Sequence, residues 1–175
     1  MFDKMRVMSL SKQFMDGQID TDAFYQALTR TLAEEMGSTR ASLWVYPDPL
    51  MRDAIECLSL YDRTDAAWSA GTTLHEADFG PYFEAMRRDN LSVASRAREH
   101  AVTACFNEVY FAPLGIYSLL DVGINVAGDP FGLFCCENTT DVLEWTPQHV
   151  DYLRQVGTLL GFAFRKARQA QAAPA

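Results

Sequence analysis

Residues Tyr110–Asn138 read YFAPLGIYSLLDVGINVAGDPFGLFCCEN, and the fold turns on how this stretch is arranged. Two apolar runs, Ser118–Val126 and Phe131–Glu137, flank Gly128-Asp129-Pro130, a cluster that punctuates a strand rather than continuing it. This predicts an antiparallel hairpin whose strands are apolar on both faces and therefore covered on both. Asp121 and Glu137 interrupt the apolar text. A three-residue loop, Gly128–Pro130, sets Ala127 opposite Phe131 and Asp121 opposite Glu137. A two-residue loop slips the register by one and sets Glu137 opposite Leu120. In the first register both carboxylates share a face with Cys135, and that face is the expected ligand site.

Outward from the hairpin, Met1–Phe14 has helical spacing in Met5, Met8 and Lys12, as a helix that meets a partner or a frayed leader. Asp16-Gly17-Gln18 breaks it. Asp20 or Thr21 then caps a helix repeating at Phe24, Ala27, Leu28, Leu32 and Met36, which Gly37 stops. Thr39–Tyr46 and Ile55–Tyr61 alternate as strands, the second with Ile55, Cys57 and Ser59 on one side. Ser69–Thr73 is a small-residue loop, Asp78 caps a helix over Phe79–Arg88, and Leu91–Ala94 is an edge strand. Ala101–Phe111 reads as helix, ended by Pro113-Leu114-Gly115. After the hairpin, Thr146-Pro147 is an N-cap followed by proline at the first helical position, opening a helix to about Gln169. Leu153, Val156, Leu160, Ala163 and Ala167 form a stripe on it, read either as a dimer seam or as the chain's own core. The order predicts an α+β fold: an antiparallel sheet with the terminal helices on one face and short helices on the other.

The chain has 175 residues, 49% hydrophobic and 22% charged, which suits one globular domain with a full core. Its net charge of -8 has the wrong sign for a general nucleic-acid binder. The apolar run Ala112–Leu120 is too short to span a bilayer, and the N-terminus lacks a signal-peptide core, so a cytoplasmic location is expected. The four cysteines, Cys57, Cys105, Cys135 and Cys136, have no CxxC spacing and are expected as free thiols.

Three stretches then carry a family resemblance: Gly71–Asn90 (GTTLHEADFGPYFEAMRRDN), Tyr110–Asn138 and Trp145–Leu160 (WTPQHVDYLRQVGTLL). They resemble the GAF domain, the sensory module of bacterial histidine kinases and diguanylate cyclases. The resemblance implies a PAS-related twisted antiparallel sheet. It also implies terminal helices packed together, often in a homodimer, and a small-molecule pocket on the opposite face. It divides the chain into a helical leader (1–17), the domain proper (18–168, with 146–168 the closing signalling helix) and a flexible tail (169–175). Gly123 departs from the branch, which usually has proline there, and a looser strand end is expected. The asparagine-lysine-phenylalanine-aspartate-glutamate signature of cyclic-nucleotide binders is missing, and Cys105 is followed by Phe106 rather than histidine, so no covalent bilin is expected. The chain stops after Ala175, so an output kinase or cyclase is expected in trans or in a longer parent chain.

The candidate ligand residues are Asp121, Cys135, Glu137, Trp44, Tyr46, Phe106 and Tyr110, each with a plainer alternative. A buried carboxylate ordinarily bonds backbone N–H groups or an arginine, a strand cysteine is ordinarily inert core, and an aromatic stripe is ordinarily packing. His75, with Glu76 and Asp78 nearby, and His100 are weak haem or iron ligands, and His149 has no evident partner. No metal site or catalytic residue is assigned, and neither haem nor iron is expected. The competing reading is a thiol-dependent reductase of free methionine sulfoxide, a known activity within the resembled family. A third is a dimerisation module whose pocket is filled by its own side chains.

Overall fold

The computed structural model describes residues 2–172. Helix α1, Met5–Met15, leads into α2, Thr21–Met36, across a break at Asp16–Asp20. Asp20 caps α2 by accepting the Ala23 N–H at 2.8 Å, and Gly37 (φ 67°) ends it in the left-handed region. Strands β1 (Arg40–Val45), β2 (Ala54–Asp62), β3 (Ala67–Ser69) and β4 (Thr73–His75) follow. The loop expected at Ser69–Thr73 is thus bracketed by β3 and β4, both paired antiparallel to β2. Helix α3 (Glu76–Asp89) and edge strand β5 (Leu91–Ala94) come next, then the hairpin β6 (Ser118–Val126) and β7 (Asp129–Asn138). Helices α5 (Pro147–Leu159) and α6 (Gly161–Ala172) close the chain; a one-turn helix, α4 (Ala112–Leu114), precedes β6.

The seven strands form one antiparallel sheet in the order β3-β2-β1-β7-β6-β5, with β4 beside β3 on β2. One face packs against α1, α2, α5 and α6 through Leu43, Leu120, Val122, Phe134 and Cys136. The other is covered by α3 and the segment before β6, around Trp44, Ile55, Leu119, Leu133 and Cys135. No described helix is long and apolar enough to cross a membrane.

Two irregularities change which residues share a face. The hairpin turns on Ala127 (φ 55°) and Gly128 (φ 91°), with Val126 opposite Asp129. The register then shifts between Ile124 and Asn125, leaving Phe131 as the extra residue of β7. Asp121 therefore faces Cys135 and Glu137 faces Leu119, so the expected Asp121–Glu137 pairing does not form. The displacement is two residues, an even number, so Asp121, Cys135 and Glu137 still share a face. In β2 a shift between Leu43 and Trp44 leaves Leu58 unpaired. Ser59 is thereby turned to α2, its Oγ 3.1 Å from Thr29 Oγ1, away from Ile55 and Cys57 with which alternation had grouped it.

Helix α3 starts earlier than expected: His75, not Asp78, occupies the N-cap position, and the helix breaks at Phe79 (φ -132°, ψ 39°) ahead of Pro81. Ala101–Phe111 is not a regular helix. A 3₁₀ turn (Ala104–Phe106) and a π turn (Asn107–Phe111) lead into α4, and two side chains tie the segment back to the preceding loop: Thr103 Oγ1 bonds Ala97 O at 2.7 Å and Asn107 Nδ2 bonds Arg98 O at 2.7 Å. His149 has a partner after all. Its Nδ1 accepts the Thr146 N–H at 3.0 Å in a capping box, and its ring packs on Phe2 and Trp145.

The leader is an integral part of the domain, with Val7 and Phe14 buried in the main core. Lys4 Nζ bonds Gln155 Oε1 at 2.6 Å, and Lys166 Nζ bonds Met15 O at 3.0 Å, each across 151 residues. Equal spacing at both ends makes α1 run parallel to α5–α6. The closing helix bends at Leu160 (φ -90°, ψ 1°) but keeps the Leu160 N to Val156 O and Phe164 N to Leu160 O bonds. Of the expected tail, 169–172 continue α6 and the rest lies outside the described residues.

Gly123 is held rather than loose: its N–H donates to Asn90 O at 2.9 Å, and an added Cβ would lie 1.8 Å from Asn90 Oδ1. Proline at this position would remove that donor. A Cβ on Gly132 would lie 1.9 Å from the Trp44 carbonyl oxygen and 2.8 Å from the Val45 Cα. On Gly157 it would make ordinary contacts, 3.7 Å from Ile124 and Phe134. Gly132→Ala is therefore expected to destabilise by roughly 1–3 kcal/mol. Gly157→Ala should be neutral or stabilising by about 0.5–1 kcal/mol. Urea denaturation of the two variants checks the contrast; equal effects would contradict it.

Candidate functional site

Beneath α3 and the α4 segment, the sheet face of β1, β2, β6 and β7 encloses a narrow cavity. It is lined by Trp44, Ile55, Leu74, Tyr82, Phe106, Tyr110, Phe111, Leu119, Asp121, Leu133, Cys135 and Glu137. The cavity's volume is about 20 Å³. That is room for about one water. Of the candidate ligand residues, Trp44, Phe106, Tyr110, Asp121, Cys135 and Glu137 meet here. Tyr46 belongs to the same core but does not line the cavity; its buried hydroxyl has no partner.

Both carboxylates are buried, and each is met by a phenol from a covering element. The Tyr82 hydroxyl on α3 donates to Asp121 Oδ2 at 2.5 Å, while Oδ1 has no partner. The Tyr110 hydroxyl donates to Glu137 Oε2 at 3.3 Å. Arg40 Nε lies 3.5 Å from Glu137 Oε2 and 3.6 Å from Asp62 Oδ2, so the guanidinium neutralises Glu137 from the sheet side. Burial pushes the Asp121 carboxyl up to about 7, against the neighbouring Cys135 thiol and the Tyr82 hydrogen bond, which favour its charged form. Burial also raises Glu137, opposed by Arg40.

The thiols are poor nucleophiles. Burial and the neighbouring carboxylates push Cys135 well above its ordinary range, and burial pushes Cys57 up to about 12. Cys136 points to the opposite layer. Cys105 does not line the cavity; its Sγ contacts Val102 O at 3.5 Å. Among the described residues no group of three or more His, Cys, Asp or Glu is placed to hold a metal. Glu76 is paired with Arg87, whose Nη1 donates at 2.7 Å. Tyr82 and Arg40 escaped the sequence reading. Tyr82 shares a helical face with Phe79 and Met86 and read as packing, and the Arg40–Glu137 contact needs the β1–β7 register.

The GAF domain family model matches residues 20–164. The chain is a GAF domain. Solved structures are similar along almost the whole length. One is a phycocyanobilin-bound GAF domain from a cyanobacterial phytochrome (TM-score 0.75, 11% identity, covering 97% of this chain and 98% of that one). Another is the GAF domain of an Acinetobacter phosphoenolpyruvate-protein phosphotransferase (0.69, 10%, 99% and 100%). A third is free methionine-R-sulfoxide reductase from Neisseria meningitidis with its substrate (0.64, 16%, 94% and 89%). No curated protein matches the chain by sequence. At these identities the likeness establishes the fold alone. A bilin does not fit this GAF domain as folded: Tyr82, Phe106 and Phe111 fill the site, and no cysteine on the covering segments lines it.

Asp121 yields a pH test. Its carboxyl is raised in the folded state, so its contribution to stability is fully present below the unfolded value, near 3.8, and is lost as pH rises towards about 7. Asp121→Asn, which mimics the protonated group and still accepts from Tyr82, should remove that slope. It should stabilise at pH 8 by an amount on the order of a few kcal/mol. Denaturant melts at pH 5 and pH 8 measure this; a difference between variant and wild type that is the same at both pH values would refute the assignment.

Proposed function

We propose that this GAF domain is a small-molecule-sensing regulatory module of bacterial signal transduction, in a two-component or cyclic-dinucleotide pathway. It acts in the cytoplasm by a ligand-linked change at a helical dimer interface, on a kinase or cyclase output in trans or in a longer parent chain. The observation that supports this reading is the cavity itself, closed by two covering elements that each reach one buried carboxylate through a single phenol. Such a closure can be opened by exchanging a few hydrogen bonds. The strands then offer a direct route outward. Asp121 and Cys135 face the cavity, while Leu120, Val122 and Phe134 beside them pack on the terminal helices, Phe134 against Phe164.

The dimer seam needs relocating. Leu153, Val156, Leu160, Ala163 and Ala167 are all 0% exposed within one chain and face its own sheet. The exposed apolar residues of the terminal helices are Met5, Met8 and Met15 on α1, and Leu159 and Phe162 on α5–α6. The parallel packing of these helices sets Met8 level with Leu159. We assign the homodimer contact to this composite face. Phe162, 74% exposed, is its most prominent side chain. Phe162→Asp should yield a folded monomer in sedimentation velocity, whereas Leu160→Asp should unfold the chain, costing more than about 4 kcal/mol. A Phe162→Asp dimer would place the interface elsewhere.

The competing readings divide cleanly. A metabolite screen by thermal shift should find a compound that raises the melting temperature, and Asp121→Ala should abolish the effect. No shift with any metabolite would favour the self-filled module, which the narrowness of the cavity supports. The reductase reading requires a nucleophilic thiol, and the raised thiols make turnover of free methionine sulfoxide unexpected.

A further inference from the structure

The cavity has a charge character that the sensory reading leaves open. Among the described residues its only charged lining groups are the two carboxylates, Asp121 and Glu137, with no lysine, arginine or histidine in the lining. Arg40 approaches Glu137 from outside the lining and is shared with Asp62. The remaining wall is aromatic and aliphatic apart from the Cys135 thiol. Asp121 is 2% exposed, and its Oδ1 has no donor. An apolar body ending in an N–H-bearing cation would satisfy that oxygen, balance the surplus negative charge and meet aromatic faces that favour cations. An anion would meet the Asp121 carboxylate, which has no cation beside it, in a site of low dielectric, and a neutral molecule would leave that charge unbalanced.

We propose that the site takes a small primary-ammonium ligand with an apolar body, held by Asp121, and that the Tyr82 hydroxyl occupies that ligand's place while the site is closed. The proposal rests on the sensory reading and deepens it. In the closed state Tyr82 supplies the O–H donor that the ligand would supply as N–H. Withdrawal of Tyr82 both frees Asp121 Oδ2 and opens the space its ring fills. Because Tyr82 stands on α3, exchange of one donor for the other moves a covering helix. Binding is also coupled to protons. The groups facing Asp121 are Tyr82 from α3, Cys135 and Glu137 from β7, Tyr46 just after β1, and the unpartnered Ser92 hydroxyl opposite it on β5. None of these is a cation, so below about pH 7 a proton on Asp121 competes with the ligand.

The probes are n-butylammonium chloride, 1-butanol and sodium butyrate, alike in carbon chain and different in head group. They are added at pH 8.5 to full-length protein carrying ring-labelled tyrosine and followed by NMR. We expect n-butylammonium to shift the Tyr82 ring resonance saturably, with the alcohol and the carboxylate at least about tenfold weaker. Asp121→Asn should weaken n-butylammonium by about tenfold or more. Tyr82→Phe, which keeps the ring and removes the competing hydroxyl, should tighten it about threefold, read on the Tyr110 resonance. Lowering the pH to 5.5 should weaken binding to wild type but not to Asp121→Asn. Equal binding of 1-butanol or butyrate, or affinity unchanged in Asp121→Asn, would overturn the ammonium class while leaving a ligand site. No shift with any of the three probes would also overturn it, and the metabolite screen then judges the sensory reading separately.

Discussion

One sheet serves two cores, and the alternation of side chains along β6 and β7 is the constraint on which both depend. At Asp121 and Cys135 the strands face the cavity; one residue away, at Leu120, Val122, Phe134 and Cys136, they face the terminal helices. A slip of a single residue would bury the carboxylates against Phe164 and expose the helix contacts to the cavity. Pairing on both sides fixes the register, since β7 lies between β6 and β1 with its backbone bonds taken by both.

The cost of this arrangement is two carboxylates taken out of water. Glu137 is partly compensated by Arg40 and Tyr110, whereas Asp121 has one phenol and an oxygen without a partner. Replacing Asp121 by an apolar residue of similar size would serve packing alone at least as well. The surrounding structure therefore holds this carboxyl at an energetic disadvantage. Its raised affinity for a proton is the direct expression of that disadvantage. Incomplete satisfaction of a buried carboxylate, on a face closed by one tyrosine from each covering element, is what distinguishes this layer from the one beneath the helices, where the buried Thr29 and Ser59 hydroxyls pair with each other.

Much of the framework was legible in the residues. The bounds of β6, the Asp20 cap with Gly37 as the stop, and Thr146-Pro147 all use local chemistry that the chain states outright. Pairing was harder. Ala127 at positive φ is an unusual first residue for a two-residue turn, so Gly128-Asp129-Pro130 looked like the loop. The extra residues Phe131 and Leu58 sit where nothing in the sequence marks a bulge. The shared face of Asp121, Cys135 and Glu137 was legible only because the register error was even. Their partners were not legible: Tyr82 and Arg40 come from elements whose approach depends on tertiary packing. The buried stripe of α5–α6 was ambiguous for a related reason, because a sheet and a partner helix ask for the same apolar spacing.

Helix α1 runs alongside α5–α6 in the same direction, tied near both ends by Lys4 and Lys166. Neighbours joined at two points along a common axis behave as one strut, so torque applied to the closing helix is shared with the opening one. Their outer ends lie at opposite extremities of the strut, since the chain travels the same way along each. Any rotation of that strut would reach both extremities with the same handedness, and segments joined in line at the two ends would be turned together.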